Sequence, residues 1–115
     1  MSDCIFCKIA DHSIGSDVVF EDETVIAFRD LNPQAPTHVL VIPKAHFDNI
    51  TKLGAADKEV AAHIFVDVIP ALAKQLGIDQ AGFRVVINTG AQGGQTVEHL
   101  HVHLLGGRDM TWPPG

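Results

Sequence analysis

The chain has 115 residues, with 8 Lys and Arg against 14 Asp and Glu and a formal charge of −6. That length predicts a single domain, residues 1–115, with a core large enough to fold without disulfides. Hydrophobic residues make up 46% of it, which fits a well-packed globule and argues against disorder. The acid excess argues against a nucleic-acid partner, because backbone binding draws on Lys and Arg, and Arg29, Lys44, Lys52 and Arg108 are scattered rather than striped. A small anion held by backbone N–H groups is not excluded. The apolar runs Val39–Pro43 and Val68–Ala73 fall short of the roughly 20 residues a membrane helix needs, so no membrane partner is expected. The stretch Met1-Ser2-Asp3-Cys4-Ile5 has no basic region followed by an apolar one. No secretory leader is expected, and the cytoplasm is the default location.

Cys4 to Ala10 predicts a short helix. Asp17–Asp22 reads as a strand, Asp22-Glu23 as a turn, and Val25–Arg29 as the hairpin partner. Asn32–Pro36 carries two prolines and must be a loop. His38–Ile42 is rich in β-branched residues and is stopped by Pro43, which predicts a central strand. From about Ala55 to Leu76, residues Phe65, Ile69, Leu72 and Leu76 recur on one face of a long helix, with Gly77 as its stop. Pro70 lies inside that pattern and predicts a kink or a split. Phe83–Ile87 is a further strand, Gly90–Gly94 a turn, and the last strand runs from about His99 to Leu105. The order predicts an α+β fold, an antiparallel sheet covered by helix.

The sharpest chemical feature is His99-Leu100-His101-Val102-His103-Leu104-Leu105. The side-chain period of a strand is two, so the three imidazoles share one face while Leu100, Val102 and Leu104 turn to the other. The alternatives to a functional row are a polar strand face or remnants of a tag, and tag histidines would be consecutive and terminal. Two functional readings follow. One is a three-His catalytic metal, which the span of about 13 Å between the outer residues makes strained. The other is a nucleophilic central His tuned by its neighbours. Gly93-Gly94-Gln95-Thr96 just upstream could present N–H groups to a phosphate, or could be only a tight connection.

Cys4-x-x-Cys7 has three readings: a redox pair, buried structural thiols, or half of a zinc site. In this compartment the two cysteines are expected as thiols or metal ligands rather than as a disulfide.

The row His99-Leu-His-Val-His-Leu-Leu105 resembles the His-x-His-x-His signature of the histidine-triad (HIT) nucleotide hydrolases and transferases. Further matches cover nearly the whole chain: Ile5-Phe6, Lys8-Ile9, Phe28, Asp30, Pro33-Gln-Ala-Pro-Thr-His38, Val41-Ile-Pro-Lys44, Asn88, Gly93-Gly-Gln95, Gly106-Gly-Arg108 and Trp112-Pro-Pro-Gly115. The Trp-Pro-Pro-Gly ending is similar to the Hint branch, the purine nucleoside phosphoramidases. The resemblance implies a HIT fold: a five-stranded antiparallel sheet in each subunit of a homodimer, one long helix and a short N-terminal helix. It implies hydrolysis of purine nucleoside 5′-phosphoramidates, with His101 attacking the α-phosphorus and carrying the nucleotide covalently.

Around that nucleophile it assigns His103 to the phosphate, His38 as a buttress from the neighbouring strand, and Thr96 near the leaving amine. Asp30 is assigned to the ribose hydroxyls, Asn88 and Gly94 to ribose and phosphate, and Phe6, Ile9, Phe28 and Leu31 to the walls around the base. On their own, the apolar four read equally as core, and Asp30 as a turn cap before Pro33. Trp112 belongs to a tail, residues 111–115, that in the Hint branch reaches the partner's active site; read alone it is a frayed end. Zinc-bearing relatives carry a structural zinc, and their ligand positions fall here on Cys4, Cys7, His46 and His99. Catalysis is expected to need no metal, and His99, once a ligand, cannot donate a proton. His12 and His63 receive no role, His63 reading as a helix-surface residue. Hydrolysis of dinucleoside polyphosphates is the nearest alternative activity, and a nucleotide-binding interaction module with weak catalysis is another.

Overall fold

The computed structural model describes residues 3–115; Met1 and Ser2, where the leader reading starts, lie outside them. Helix α1 spans Ile5–Ala10, and its N-cap is Cys4, whose sulfur accepts the Cys7 backbone N–H. Strands β1 (Val18–Glu21) and β2 (Val25–Arg29) form the expected hairpin. Asp22 closes its turn by accepting the backbone N–H groups of Thr24 and Val25. Strand β3 covers Thr37–Pro43, β4 Phe83–Val86 and β5 Val102–Gly106. The sheet order is β1-β2-β3-β5-β4, antiparallel throughout. This is the α+β arrangement expected from the element order.

The long helix is continuous over about 21 residues. A single 3₁₀ turn at Ala55–Asp57 leads into α2 (Lys58–Ala62), a π-helical segment (His63–Val68) and α3 (Ile69–Gln75). Pro70 neither splits nor ends it. The wider π turn sits directly before the proline, and Ile69 N–H reaches back five residues to the Ile64 carbonyl. A ring that would clash in an α-helix is thereby given room. The extra residue also rotates the buried face. Ile64, Val68, Ile69, Leu72 and Ala73 face the sheet, while Phe65, expected on that face, is 45% exposed.

Both sheet faces are covered. Val25, Ala27, Val39, Val41, Val102 and Leu104 pack against the long helix. Ile26, Phe28, Leu40 and Ile42 pack against Phe6, Ile9 and Ala10 of α1. The row of histidines emerges on the α1 side.

Most element ends fall within a residue of expectation, and the last strand and the Gly90–Gly94 turn differ more. Regular β5 pairing starts at Val102, because beyond Val41 the partner strand reaches Pro43, whose carbonyl is taken by the side chain of His99. The Gly90–Gly94 turn contains one helical turn, α4 (Gly90–Gly93), ended by Gly94 at φ +81°. That left-handed conformation suits glycine.

Candidate active site and metal centre

His99 is fully buried, and both ring nitrogens are engaged. Its Nε2–H donates to the Pro43 carbonyl at 2.8 Å, and a carbonyl only accepts, so the proton sits on Nε2. The unprotonated Nδ1 lies 3.3 Å from Cys4 Sγ and 3.5 Å from Cys7 Sγ. His46 repeats the pattern from the loop after β3. Its Nε2–H donates to Asp48 at 2.9 Å, which turns Nδ1 to Cys7 Sγ at 3.3 Å. The four donor atoms lie within 4.8 Å of one another. Two sulfurs and two imidazole nitrogens, each ring fixed by an outer acceptor, form a donor set suited to tetrahedral zinc. A Cys4–Cys7 disulfide is not formed. Burial pushes the Cys7 thiol upward and the His99 imidazole downward from their usual pKa ranges.

His101 is buried beside this cluster. Its Nδ1–H donates to the His99 carbonyl at 2.7 Å. The lone pair is therefore on Nε2, as a nucleophile requires. The Phe6 ring stands edge-on to His101 with centroids 5.1 Å apart, and to His99 at 6.0 Å.

His103 is wired in the opposite sense. The Gln34 backbone N–H donates to His38 Nδ1 at 3.0 Å, so His38 carries its proton on Nε2. That proton is donated to His103 Nδ1 at 2.9 Å, leaving His103 with an Nε2–H. Asp30 stands 3.5 Å from His38 Nε2. Its other oxygen accepts the Asn32 N–H at 2.8 Å, which is the turn cap that Asp30 offers when read alone. Burial lowers the His38 pKa, against the pull of Asp30. For His103, burial, reinforced by His101 and His38 and opposed by Asp30, brings the imidazole down to about 4. At neutral pH His103 is an uncharged hydrogen-bond donor.

Asp30, His38 and His103 also lie close enough to be read as a metal site. The Gln34 N–H opposes that reading, since a metal on His38 Nε2 would demand a proton on Nδ1, where that N–H already points. A three-His metal fares no better: His99 Nδ1 faces sulfur, while His101 and His103 spend their Nδ1 atoms on a carbonyl and on His38.

A pocket of about 280 Å³ opens beside the row. Phe6, Ile9, Phe28, Asp30, Leu31, Thr96, His101 and His103 all line it. Leu31 is 99% exposed and can only stand at the mouth. Asn88 and Gly94 are not among the lining residues. They belong to the stretch between β4 and Thr96, which Gln95 ties down by accepting from Gly90 N–H and donating to the Asp48 and Val97 carbonyls. Trp112 is 81% exposed and lies under the Arg84 guanidinium at the outer strand, away from the pocket of its own chain. A wider groove of about 790 Å³ runs along the long helix, but Asp22, Glu23, Glu59 and Asp67 make it unsuited to an anion. Of the residues that shape the site, Val97 in the pocket wall, Gln34 N–H and the Pro43 and His99 carbonyls were not found by sequence reasoning. The last three act through main-chain atoms, which carry no residue signature.

A sheet whose histidine row meets a Cys/His cluster at one end and a small pocket at the other defines a histidine-triad protein. A family model described as the HIT domain matches residues 11–110, and the chain belongs to that family. The "14 kDa zinc-binding protein" of Zea mays is 53% identical over 117 residues, covering 99% of this chain and 89% of the other. "Adenylylsulfatase HINT1" of Arabidopsis thaliana is 49% identical over 121 residues, covering 99% and 78%. Among solved structures, a HIT family hydrolase from Legionella pneumophila matches with a TM-score of 0.95 and 50% identity, over 98% of this chain and all of that one. Among the described residues, no helix is long and apolar enough to cross a membrane.

Proposed function

We propose that the protein hydrolyses purine nucleoside 5′-phosphoramidates through a nucleotide carried on His101. The observation that carries the reading is the His101 Nδ1–H bond to the His99 carbonyl, which leaves Nε2 unprotonated beside the pocket. Nε2 attacks the α-phosphorus, an N–P bond forms, and the bond to the amine breaks. The amine leaves after taking one proton. His103, neutral at pH 7, gives a hydrogen bond to a phosphoryl oxygen rather than a proton. Thr96, at the pocket wall, relays the proton to the amine from water. Water then attacks phosphorus, the P–Nε2 bond breaks, its proton is returned, and the nucleoside monophosphate leaves. Asp30 accepts the ribose hydroxyls; Phe6, Ile9 and Phe28 flank the base, with Leu31 at the mouth; Asn88 and Gly94 adjust around ribose and phosphate.

A second reading changes only the leaving group. The Arabidopsis relative is named for action on adenylyl sulfate, and the same attack on phosphorus with sulfate departing needs no proton donor. Dinucleoside polyphosphates are a third leaving-group class, and a vestigial interaction module is opposed by the intact nucleophile geometry. Cys4, Cys7, His46 and His99 would hold zinc, as the name of the maize relative supports for that protein; the ion would tie α1 to the two loops and supply no chemistry to the substrate.

We infer a homodimer and a cytoplasmic location. Phe83 and Val85 on the outer strand β4, with Phe65 and Val66 on the helix, are exposed apolar surface that a second copy would cover. Trp112 at that same edge would then reach the partner's pocket. Side-by-side turnover of adenosine and guanosine phosphoramidates, adenylyl sulfate and diadenosine polyphosphates tests the activity. Intact-mass measurement of quenched enzyme is expected to catch a nucleotidyl adduct. Turnover of none of the panel, or turnover with no adduct on His101, rejects the reading.

A further inference from the structure

The Cys/His cluster and the nucleophile share one peptide unit, the one joining His99 to Leu100. Its N–H, on Leu100, donates to the Phe47 carbonyl at 2.6 Å. Its carbonyl, on His99, accepts from His101 Nδ1 at 2.7 Å. The side chains flanking this pair of bonds are themselves cluster members: His99 Nδ1 faces Cys4 Sγ at 3.3 Å, and His46, next to Phe47, faces Cys7 Sγ at 3.3 Å. Anything that joins His46 to His99 therefore fixes the plane of the peptide that holds the catalytic ring.

We propose that the Cys4–Cys7–His46–His99 centre positions the catalytic imidazole: a metal bound there locks the 99–100 peptide against the 46–48 loop, and the locked carbonyl keeps the proton of His101 on Nδ1 and its lone pair on Nε2 toward the pocket. The inference rests on His101 being the nucleophile. Cys4, Cys7 and His46 are then positioning residues, acting through His99.

The geometry also sets the size of the effect. Without metal the loop keeps two struts, the Leu100 N–H bond to the Phe47 carbonyl and the Gln95 Nε2–H bond to the Asp48 carbonyl at 2.7 Å. Helix α1 keeps its own apolar contacts through Phe6, Ile9 and Ala10, so the pocket wall stays in place. Loss of metal therefore loosens the nucleophile more than it weakens substrate binding.

The test compares zinc-loaded protein with protein stripped by a chelator, and with the His46→Ala and His46→Cys variants. In substrate-free protein the His101 Nδ1–H is followed by NMR with ¹⁵N-labelled histidine. Stripping and His46→Ala are expected to shift or broaden that signal, to lower kcat about tenfold, a common cost of losing an outer-sphere support, and to leave KM little changed. Adding zinc back to stripped protein restores both signal and kcat, as does His46→Cys loaded with zinc, which keeps a fourth donor. Should His46→Ala fail to fold, the chelation arm alone decides. An unchanged His101 signal and kcat after zinc has left overturns the proposal. So does complete loss of turnover with the His101 signal intact, which makes the metal a reactant. If no substrate turns over at all, the activity reading falls, while the NMR signal still decides the positioning.

Discussion

His99 and His103 stand at opposite ends of one row, and their rings are wired in opposite senses. His99 gives its Nε2 proton to the Pro43 carbonyl and keeps a lone pair for two sulfurs. His103 accepts at Nδ1 from His38 and keeps an N–H for the pocket. Between them, His101 follows the His99 pattern, giving a proton to a carbonyl and keeping a lone pair, yet it faces the pocket. On the proposed reading the same residue type thus serves as ligand, nucleophile and donor. The atom opposite the engaged nitrogen decides which: an acceptor there frees a lone pair on the far side, and a donor there leaves an N–H. The rest is set by what stands across from the free nitrogen, sulfur at one end and open volume at the other.

The largest expected effect breaks the pocket end. His101→Ala is expected to lower turnover by at least about a thousandfold, as loss of a covalent nucleophile does, and to abolish the mass adduct. His103→Gln keeps a donor but not its geometry, and is expected to cost about a hundredfold with the adduct still formed. Equal losses in the two variants would erase the distinction between nucleophile and donor. At the other end, Cys7→Ser removes a sulfur donor. Metal analysis is expected to fall from about one zinc per chain toward none, and the melting temperature by about 10 °C. A variant that keeps both zinc and melting point rejects the metal centre.

How far this contrast could be read in advance depends on which atoms carry it. The alternation of His99, His101 and His103 with Leu100, Val102 and Leu104 is a side-chain pattern, and the structure keeps it even where regular pairing stops. Cys4, Cys7, His46 and His99 are likewise side chains, and the resemblance placed them where the fold brings them together. The tautomers were not legible, because they are set by the carbonyls of Pro43 and His99 and the N–H of Gln34. The helix face differs by one residue at Phe65 because periodicity alone cannot show that the helix widens into a π turn before Pro70. His63 was read as idle surface. Its Nε2–Asp22 contact at 2.6 Å joins residues 41 apart in sequence, and no local pattern announces that.

The two wirings should also separate on a pH axis. His103 is held near 4 in the folded chain and titrates near 6.5 when unfolded. Between those values the unfolded chain binds a proton that the folded chain does not, so acid costs stability there. His38, also lowered, acts with the same sign. Zinc-saturated protein is expected to melt progressively lower from about pH 6.5 to pH 4, and His103→Gln to show a shallower slope. Parallel slopes would mean that burial of this ring is not what acid attacks.

The smallest effect has the opposite sign, which makes it the sharper control. His63 bridges Asp22 on the hairpin turn and Asp67 on its own helix, at 2.6 and 2.8 Å. The Asp22 bond, then the Asp67 bond, raise its pKa against a minor opposing effect of burial. The folded chain therefore holds the proton more tightly than the unfolded one. The stabilisation is complete below about 6.5 and is lost as pH rises through the raised value. Both ion pairs are partly open to solvent, so His63→Gln is expected to lower the melting temperature by only roughly a degree or two near pH 6. Well above neutrality that gap should close. Melting curves of the variant and parent at pH 6 and pH 9 measure it, and salt should shrink the pH 6 difference because exposed charges are screened. A difference of the same size at both pH values would assign His63 a packing role and remove the charge argument. Because acid deepens one histidine's stabilising contribution while it erodes the other's, the two slopes cannot both be products of a general loss of fold.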